Sequence, residues 1–265
     1  KHLSAQDVAT KLAAGETHVI RMKIEPGRAI KFTDIIRGPI VFQSDTVDEQ
    51  VLMKSDGFPT YHLANVVDDH AMGITHVIRG EEWLSSTPKH ILLYEAFGWT
   101  APEFAHLPLL LNPDHSKLSK RQGDVAALDY AKAGYLPEAV LNFLAILGWN
   151  PSGSEEIYSR EQLIEQFDIS NMGKSGSVFD RTKLDWLNGV YLRKLSLEEV
   201  AKRVAPFNTE LGVSTNLFAS YDAALKAASE RAVTLRDVAT SLKAMGETVE
   251  YPACLLYTSP SPRDA

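Results

Sequence analysis

An α/β fold, in which a parallel sheet with crossover helices gives way to a mainly α-helical region, is predicted by three features of the sequence. The first sixty residues are short β-branched runs separated by Pro/Gly turns. The next stretch alternates helical and strand-like spacing. From "DVAALDYAKAGYLPEAVLNFLAILGW" onward the apolar period is helical. With 265 residues, 45% of them hydrophobic and 23% charged, the chain has room for two or more globular cores.

The elements follow in order. After a leading amphipathic helix in "KHLSAQDVATKL", the runs "THVIRMKI", "AIKFTDIIRGPIVFQ" and "QVLMKSDGFPTYHL" predict mainly antiparallel strands. "YHLANVVDDHAMG" has helical spacing and "THVIRG" reads as a short buried strand. "SSTPKHILLYEAFGW" reads as a helix with Thr87 as N-cap and Pro88 in its first turn. "EFAHLPLLLNPD" predicts a further strand running into a turn. Helix, strand, helix, strand is the order expected of parallel strands joined by crossovers. The helical remainder reaches Met245, and the polar loop from Asn208 to Asn216 is read as a domain boundary.

Both ends are expected to be those of a fragment. The chain opens without methionine inside an amphipathic pattern. "CLLYTSPSPRDA" (Cys254 to Ala265) matches an in-frame translation of a sequencing-library transposon adaptor and is set aside.

Lys and Arg number 27 against 34 Asp and Glu, a net charge of -7, which gives no global pull toward nucleic acid or anionic membrane. Phosphate binding must therefore be local. A single cysteine excludes a disulfide framework and a multi-cysteine zinc site. Eight histidines without HxH or HxxxH spacing give no reason to expect a protein-bound metal. No apolar run has the length of a membrane span.

Positive charge does gather in "LLNPDHSKLSKRQGDV". A loop after a parallel strand lies at the strand's carboxyl end, where open α/β sheets bind ligands. Lys117 and Lys120 flank Ser119 there, and two ammonium groups with a hydroxyl or backbone N–H groups can close on a polyphosphate. The string alone equally fits a solvated loop.

Four longer motifs, "FPTYHLANVVDDHAMGITHVIRGEEWLSSTPKH", "HLPLLLNPDHSKLSKRQGDV", "GYLPEAVLNFLAILGW" and "FDRTKLDWLNGVYLRKL", stand in fixed order. Together they resemble the glutamyl-tRNA synthetases of the bacterial and organellar type, over nearly everything from Phe42 to Ala253. "KLSKR" occupies the place of that family's version of the class I KMSKS motif. The HIGH motif does not occur in the chain, and the chain alone is expected to be inactive. The resemblance implies the C-terminal half of a class I synthetase Rossmann-type parallel sheet followed by a mainly α-helical region. Residues 1–60 would end an inserted acceptor-binding domain and 61–115 form the second half of the catalytic domain. Residues 116–207 would hold the KMSKS loop and a helical stem-contact domain, and 208–253 the start of a helical anticodon-binding domain.

The implied activity is that of a glutamate–tRNA ligase. L-glutamate attacks the α-phosphate of ATP, and the glutamyl group passes to the terminal ribose of tRNA(Glu). The resemblance implies that Tyr61 and Asn65 contact the amino acid, that Arg79 binds one of its carboxylates, and that Glu82 lies near ATP. It implies that Lys117, Leu118, Ser119, Lys120 and Arg121 cover the ATP phosphates, with Lys117 and Lys120 catalytic. Mg²⁺ would travel with ATP, and a monomer without membrane partners is expected, in a bacterial cytoplasm or alternatively in an organelle.

The residues themselves allow this and duller readings. Tyr61 and Asn65, spaced i,i+4, share a helix face, and Arg79 ends "THVIR" at the crevice edge. Arg79 could equally pair with Asp68 or Asp69, and Trp83 could flank a helix. A tRNA backbone needs a basic track, for which Arg181, Lys183, Arg193, Lys194, Lys202 and Arg203 are available; solvated helix faces carry such charges too, and none is assigned a site. A glutaminyl-tRNA synthetase would read the anticodon with β-barrels, whereas "YDAALKAASERAVTLRDVATSLKAM" is helical. A glutamyl-queuosine-tRNA synthetase would lack the long helical continuation. A non-catalytic RNA-binding module is the alternative from another class.

Overall fold

The computed structural model describes residues 3–118, 126–149 and 155–247. Packing divides the chain into two compact units. One comprises Lys1–Leu110, Gly148–Asn150 and Asp168–Ser177; the other comprises Leu111–Leu147, Pro151–Phe167 and Val178–Ala265.

In the first unit, α1 (Ala5–Ala13) is started by a reciprocal capping box between Ser4 and Asp7. None of its residues is buried. "THVIRMKI" contributes only β1 (Ile20–Arg21), because the register shifts there and Met22 turns into the core. A hairpin follows, β2 (Ala29–Asp34) and β3 (Gly38–Gln43), paired antiparallel along its whole length. β4 (Val51–Met53) pairs antiparallel with β1, and α2 (Tyr61–Ala71) begins two residues after Pro59, which bridges Met53. Next come β5 (His76–Gly80), a 3₁₀ turn (Glu81–Ser86), α3 (Thr87–Phe97) and β6 (Glu103–Leu107).

β3, β2, β6 and β5 form one sheet in that order. β5 and β6 run parallel in five registered pairs, joined by α3 as the crossover that the sequence order implies. β2 also runs parallel to β6, through the single pair Asp34 with Phe104. The hairpin read as part of an antiparallel region is thereby continuous with the parallel sheet. Pro108, which lacks an N–H, follows the last residue of β6, and the apolar run resumes as β7 (Leu110–Leu111).

The start of α3 differs from expectation. The 3₁₀ turn leaves Ser86 already helical at φ -87° and ψ -20°, so the extended residue that an N-cap requires does not occur. Thr87 is the first helical residue and its hydroxyl turns into a buried polar network. Pro88 sits in the first turn as expected, and Gly98 ends the helix at φ 70°, a conformation open to glycine.

The second unit is helical: α4 (Ala127–Lys132), α5 (Pro137–Ile146), α6 (Arg160–Gln166), α7 (Arg181–Lys194), α8 (Leu197–Leu211), α9 (Tyr221–Arg231) and α10 (Leu235–Gly246). β8 (Ser177–Val178) precedes α7 and pairs with β7. Leu192, Val204, Leu225, Val238 and Leu242 form a core shared by α7, α8, α9 and α10. Of the stretch from Asn208 to Asn216, three residues face that core and most of the others are exposed. Asn208 is a buried residue of α8 whose Nδ2 donates to the Tyr221 hydroxyl at 3.0 Å, and Leu211 and Val213 pack on the same core.

Leu242 is 0% exposed, whereas Leu128 is 73% exposed. Leu242→Ala is expected to lower unfolding stability in urea by about 2–5 kcal/mol through lost burial and the cavity left behind. Leu128→Ala should change it by less than about 0.5 kcal/mol. Equal effects would mean that the helical core is not packed as described.

Candidate active site

Three neighbouring strands bring different chemistry to their carboxyl ends. β2 ends in Asp34, while β5 and β6 carry Arg79 and His106 as paired neighbours in the penultimate register. Asp34 is 1% exposed and His106 0%. One Asp34 oxygen accepts the backbone N–H groups of Ile36 and Arg37, each at 3.0 Å. The other accepts the His106 backbone N–H at 3.1 Å and its Nδ1–H at 2.6 Å. Burial alone would raise the Asp34 carboxyl, but hydrogen bonds from the His106 side chain and from Arg37, His106 and Ile36 N–H groups hold it below the usual carboxylate range. It is a carboxylate with no need of a proton.

With Nδ1–H committed to Asp34, His106 presents an Nε2 lone pair. Burial lowers its pKa, outweighing the attraction of Asp34, and the neighbouring Arg79 charge adds to the lowering. Arg79 Nε–H donates to this Nε2 at 3.1 Å, and Arg79 Nη2 donates to Thr87 Oγ1 at 3.0 Å and to the Trp83 carbonyl at 3.4 Å. Nη1 is buried with no hydrogen-bond partner. Arg79 makes no ion pair with Asp68 or Asp69 among the described residues, although burial depresses its pKa while Tyr61 and Asp69 favour its charge. The dull reading of Arg79 as a structural ion-pair partner is therefore not what the fold builds.

Tyr61 and Asn65 do lie on this side of α2. Tyr61 is 50% exposed, its ring 5.2 Å from that of Trp83, which also lies 6.0 Å from the Arg79 guanidinium. Asn65 hydrogen-bonds Asp69, whose carboxyl burial nonetheless pushes up. Trp83 is 38% exposed and lies near both Tyr61 and Arg79, outside the core. Glu82 folds back over Gly80, where a Cβ would collide with its carboxylate. Beneath the aromatic pair, His62 Nδ1 meets His90 Nε2 at 2.9 Å, both buried. Burial, followed by the positive charge of Arg79, pushes His90 down to about 3.

The segment that begins at Leu111 and was read as a phosphate cradle opens the second unit. Its stem is a tight hairpin in which Asn112 N–H donates to the Ser116 carbonyl at 2.8 Å and Leu111 bridges Lys117. His115 takes the left-handed conformation at φ 63°, with Asp114 accepting from Ser116 N–H and Oγ–H. Lys117 is exposed and Leu118 half-buried. Ser119, Lys120 and Arg121 lie outside the described residues.

Most of the cations available for a nucleic-acid track are already engaged. Arg203 pairs with Glu138 and Glu199, Lys183 with Glu156, and Arg181 lies over the Tyr135 ring. Lys194 lies over Tyr191.

Sequence reading did not find Asp34, His106 or Thr87. The available signal was an acidic residue and a histidine, each near the end of an apolar strand run, where an unpaired polar group would be costly. Among the described residues no group of three or more His, Cys, Asp and Glu is placed to hold a metal, and no helix is long and apolar enough to cross a membrane.

Residues 1–186 match the family model described as tRNA synthetases class I (E and Q), catalytic domain. Glutamate–tRNA ligase of Prosthecochloris aestuarii is 58% identical over 207 residues, covering 77% of this chain and 41% of the relative. That of Chloroherpeton thalassium is 61% identical over 199 residues, covering 74% and 40%. The crystal structure of a glutamate tRNA ligase from Elizabethkingia meningosepticum, in complex with its amino acid, superposes with a TM-score of 0.79 at 40% identity, covering 91% of this chain and 51% of that one. The chain thus spans about two fifths of the length of the curated relatives.

The histidines are expected to make the first unit sensitive to acid. His90, His62 and His106 all have pKa values lowered from 6.5. Below that value the unfolded chain binds protons that the fold refuses, so stability falls as pH drops from 6.5 toward the folded pKa. The slope is at most about 1.4 kcal/mol per pH unit for each histidine. Asp34, with its lowered pKa, loses its contribution only below about pH 4. Thermal unfolding is expected to be level above about pH 7, to fall between about pH 6.5 and 5, and to fall less steeply in His90→Asn. A midpoint that rises on acidification would show the histidines to be charged in the fold.

Proposed function

The chain belongs to the family of class I tRNA synthetases for glutamate and glutamine, and from that premise we propose that the whole protein ligates L-glutamate to tRNA(Glu) through a glutamyl-adenylate made from ATP. The observation that carries this reading is the Arg79 guanidinium, fixed along one edge, with Nη1 buried and unpaired beside Tyr61. A buried cation with an unused donor is matched by an anionic ligand, and a carboxylate is the anion that the family's substrate offers. Tyr61 and Trp83 supply an aromatic wall, and Asn65, tied to Asp69, supplies polar contacts from α2.

In the proposed reaction a glutamate carboxylate oxygen attacks the α-phosphorus, and the bond to pyrophosphate breaks as the new P–O bond forms. A ribose hydroxyl of the tRNA terminus then attacks the activated carbonyl and AMP departs, its proton passing to solvent. Neither step needs an enzyme nucleophile. Positioning and charge stabilisation carry the rate of such transfers. We assign the ATP phosphates to the segment Lys117, Leu118, Ser119, Lys120 and Arg121, with Glu82 toward the nucleotide. Mg²⁺ enters as the counterion of ATP. Relatives from bacteria favour a cytoplasmic setting, and a monomer suffices for this chemistry.

Glutamate and glutamine have nearly the same shape, so size cannot separate them. Where a site strands a buried polar group on the wrong ligand, discrimination can reach about 10⁴ without editing. In the whole protein, Arg79→Gln is expected to lower kcat/KM for glutamate by about 100-fold or more, the size of losing one partner of a buried charged pair. The KM for ATP should hold and the preference over glutamine should narrow. Glutamate-dependent pyrophosphate exchange measures all three, and parental values would refute this site. In the same assay Lys120→Ala should slow activation by about 10²–10³ with small changes in KM, as when one preorganised donor is removed. A normal rate would make that loop ordinary surface.

A further inference from the structure

Arg79 could have been oriented by a carboxylate, as buried guanidinium groups commonly are, but its charge would then have been neutralised before any ligand arrived. The fold places an imidazole between the two. Asp34 lies on β2, across β6 from the strand that carries Arg79, and hydrogen-bonds His106 rather than Arg79. His106 hands on orientation without charge: Nδ1–H donates to Asp34 at 2.6 Å, and Nε2 accepts the Arg79 Nε–H at 3.1 Å. Thr87 completes the grip, its Oγ1 3.0 Å from Arg79 Nη2 and 3.1 Å from His106 Nε2. His106 and Thr87, the side chains hydrogen-bonded along one edge of Arg79, are neutral, and Nη1 at the other end has no partner at hydrogen-bond distance, with the Tyr61 hydroxyl near enough to favour the guanidinium charge.

We propose that Asp34 and His106 are positioning residues which fix the tautomer of one imidazole so that Arg79 is held by neutral acceptors and keeps its full charge for the substrate carboxylate. This rests on the reading of Arg79 as the carboxylate-binding group. A buried carboxylate that accepts from an imidazole selects which nitrogen carries the proton, and the choice cannot be made by the imidazole alone. Reversal of that choice would set an Nε2–H against the Arg79 Nε–H, donor against donor, and the guanidinium would swing off its seat. Burial of His106 and the adjacent positive charge both act against protonation at the second nitrogen.

Two substitutions of His106 separate this role from mere packing. An asparagine amide reaches about as far as Nδ1, so His106→Asn keeps the donor to Asp34 and loses the acceptor to Arg79. A glutamine amide reaches about as far as Nε2, so His106→Gln keeps an acceptor for Arg79 and loses the bond to Asp34. In the whole protein, His106→Asn is expected to raise the KM for glutamate about 10- to 100-fold, the size of one hydrogen bond to a charged group, with the KM for ATP unchanged. His106→Gln should stay within about threefold of the parent on this scale. Asp34→Asn presents an amide donor to His106 Nδ1 and should behave as His106→Asn does.

The tautomer is read independently by long-range ¹H–¹⁵N correlation spectra of the 265-residue chain. His106 is expected to be neutral with its proton on Nδ1, and Asp34→Asn should move that proton to Nε2. An imidazolium or an Nε2–H tautomer in the parent chain overturns the proposal, as does a His106→Asn variant with the parental KM for glutamate. Equal losses in His106→Asn and His106→Gln overturn it too, since a packing role would not distinguish them. Arg79→Gln is the control for the underlying reading. If it leaves the KM for glutamate unchanged, the assignment of Arg79 fails; if it raises the KM while His106→Asn does not, only the positioning role fails. Should Asp34→Asn not fold, the parental spectrum and the two His106 variants still decide.

Discussion

The arrangement of the first unit depends on one buried carboxylate. Asp34 is 1% exposed and accepts N–H groups from Ile36, Arg37 and His106, together with the His106 ring. A lone ion in such a place would be strongly unfavourable, and four donors make it tolerable. Its structural effect exceeds that of an ordinary ladder bond. β2 and β6 share only one registered pair, and the carboxylate extends that junction past the end of the ladder by gripping both the turn after β2 and the backbone of β6. The hairpin β2–β3 is thus fastened to the parallel strands at the end where ligands bind in open α/β sheets.

Around this anchor the next contacts follow in sequence. Arg37, in the turn that Asp34 organises, donates from Nε to the His106 carbonyl at 3.3 Å and pairs with Glu81. Glu81 in turn accepts the Leu109 N–H at 3.3 Å, so both chain segments leaving β5 and β6 are held by the same ion pair. That places the 3₁₀ turn Glu81–Ser86, and with it the Trp83 carbonyl that receives Arg79 and the start of α3 that delivers Thr87. A partly exposed pair of this kind contributes modest stability. Its larger consequence is geometric, because the turn it fixes carries the Trp83 carbonyl and ring that face Arg79 and leads directly into Thr87.

What could be read in the sequence was what depends on neighbours along the chain. "THVIRG" is a strand, "SSTPKHILLYEAFGW" a helix and Arg79 a strand-end residue because local period and turn chemistry decide those matters. Tyr61 and Asn65 share a helix face for the same reason. Asp34 and His106 are separated by 72 residues, and Thr87 and His106 by 19, and no periodicity links them. Thr87 was the instructive case: a threonine before a proline signals an N-cap, yet the preceding 3₁₀ turn already supplies helical backbone, which frees the hydroxyl for the network. The loop "KLSKR" was conspicuous by charge alone, whereas the groups that orient Arg79 are conspicuous only by burial.

Charge also bears on how an acidic chain can meet a polyanion. With a net charge of -7, attraction to a polyanion such as the proposed tRNA substrate would have to come from cations that keep their field, since long-range repulsion opposes approach elsewhere. In the second unit Arg203 is flanked by two glutamates and Lys183 by one, and an ion pair whose partner stays in place exchanges little with a phosphate. Arg193 and Lys202 form no ion pair among the described residues, and Arg193 lies against Gly189, where a Cβ would come within 3.0 Å of its guanidinium. The absence of a side chain at Gly189 lets Arg193 lie flat along α7. In both units there is a cation whose charge is left uncompensated because the protein orients it with something other than a carboxylate. Glycine does so by yielding space beside Arg193, and a neutral imidazole does so by yielding a lone pair to Arg79.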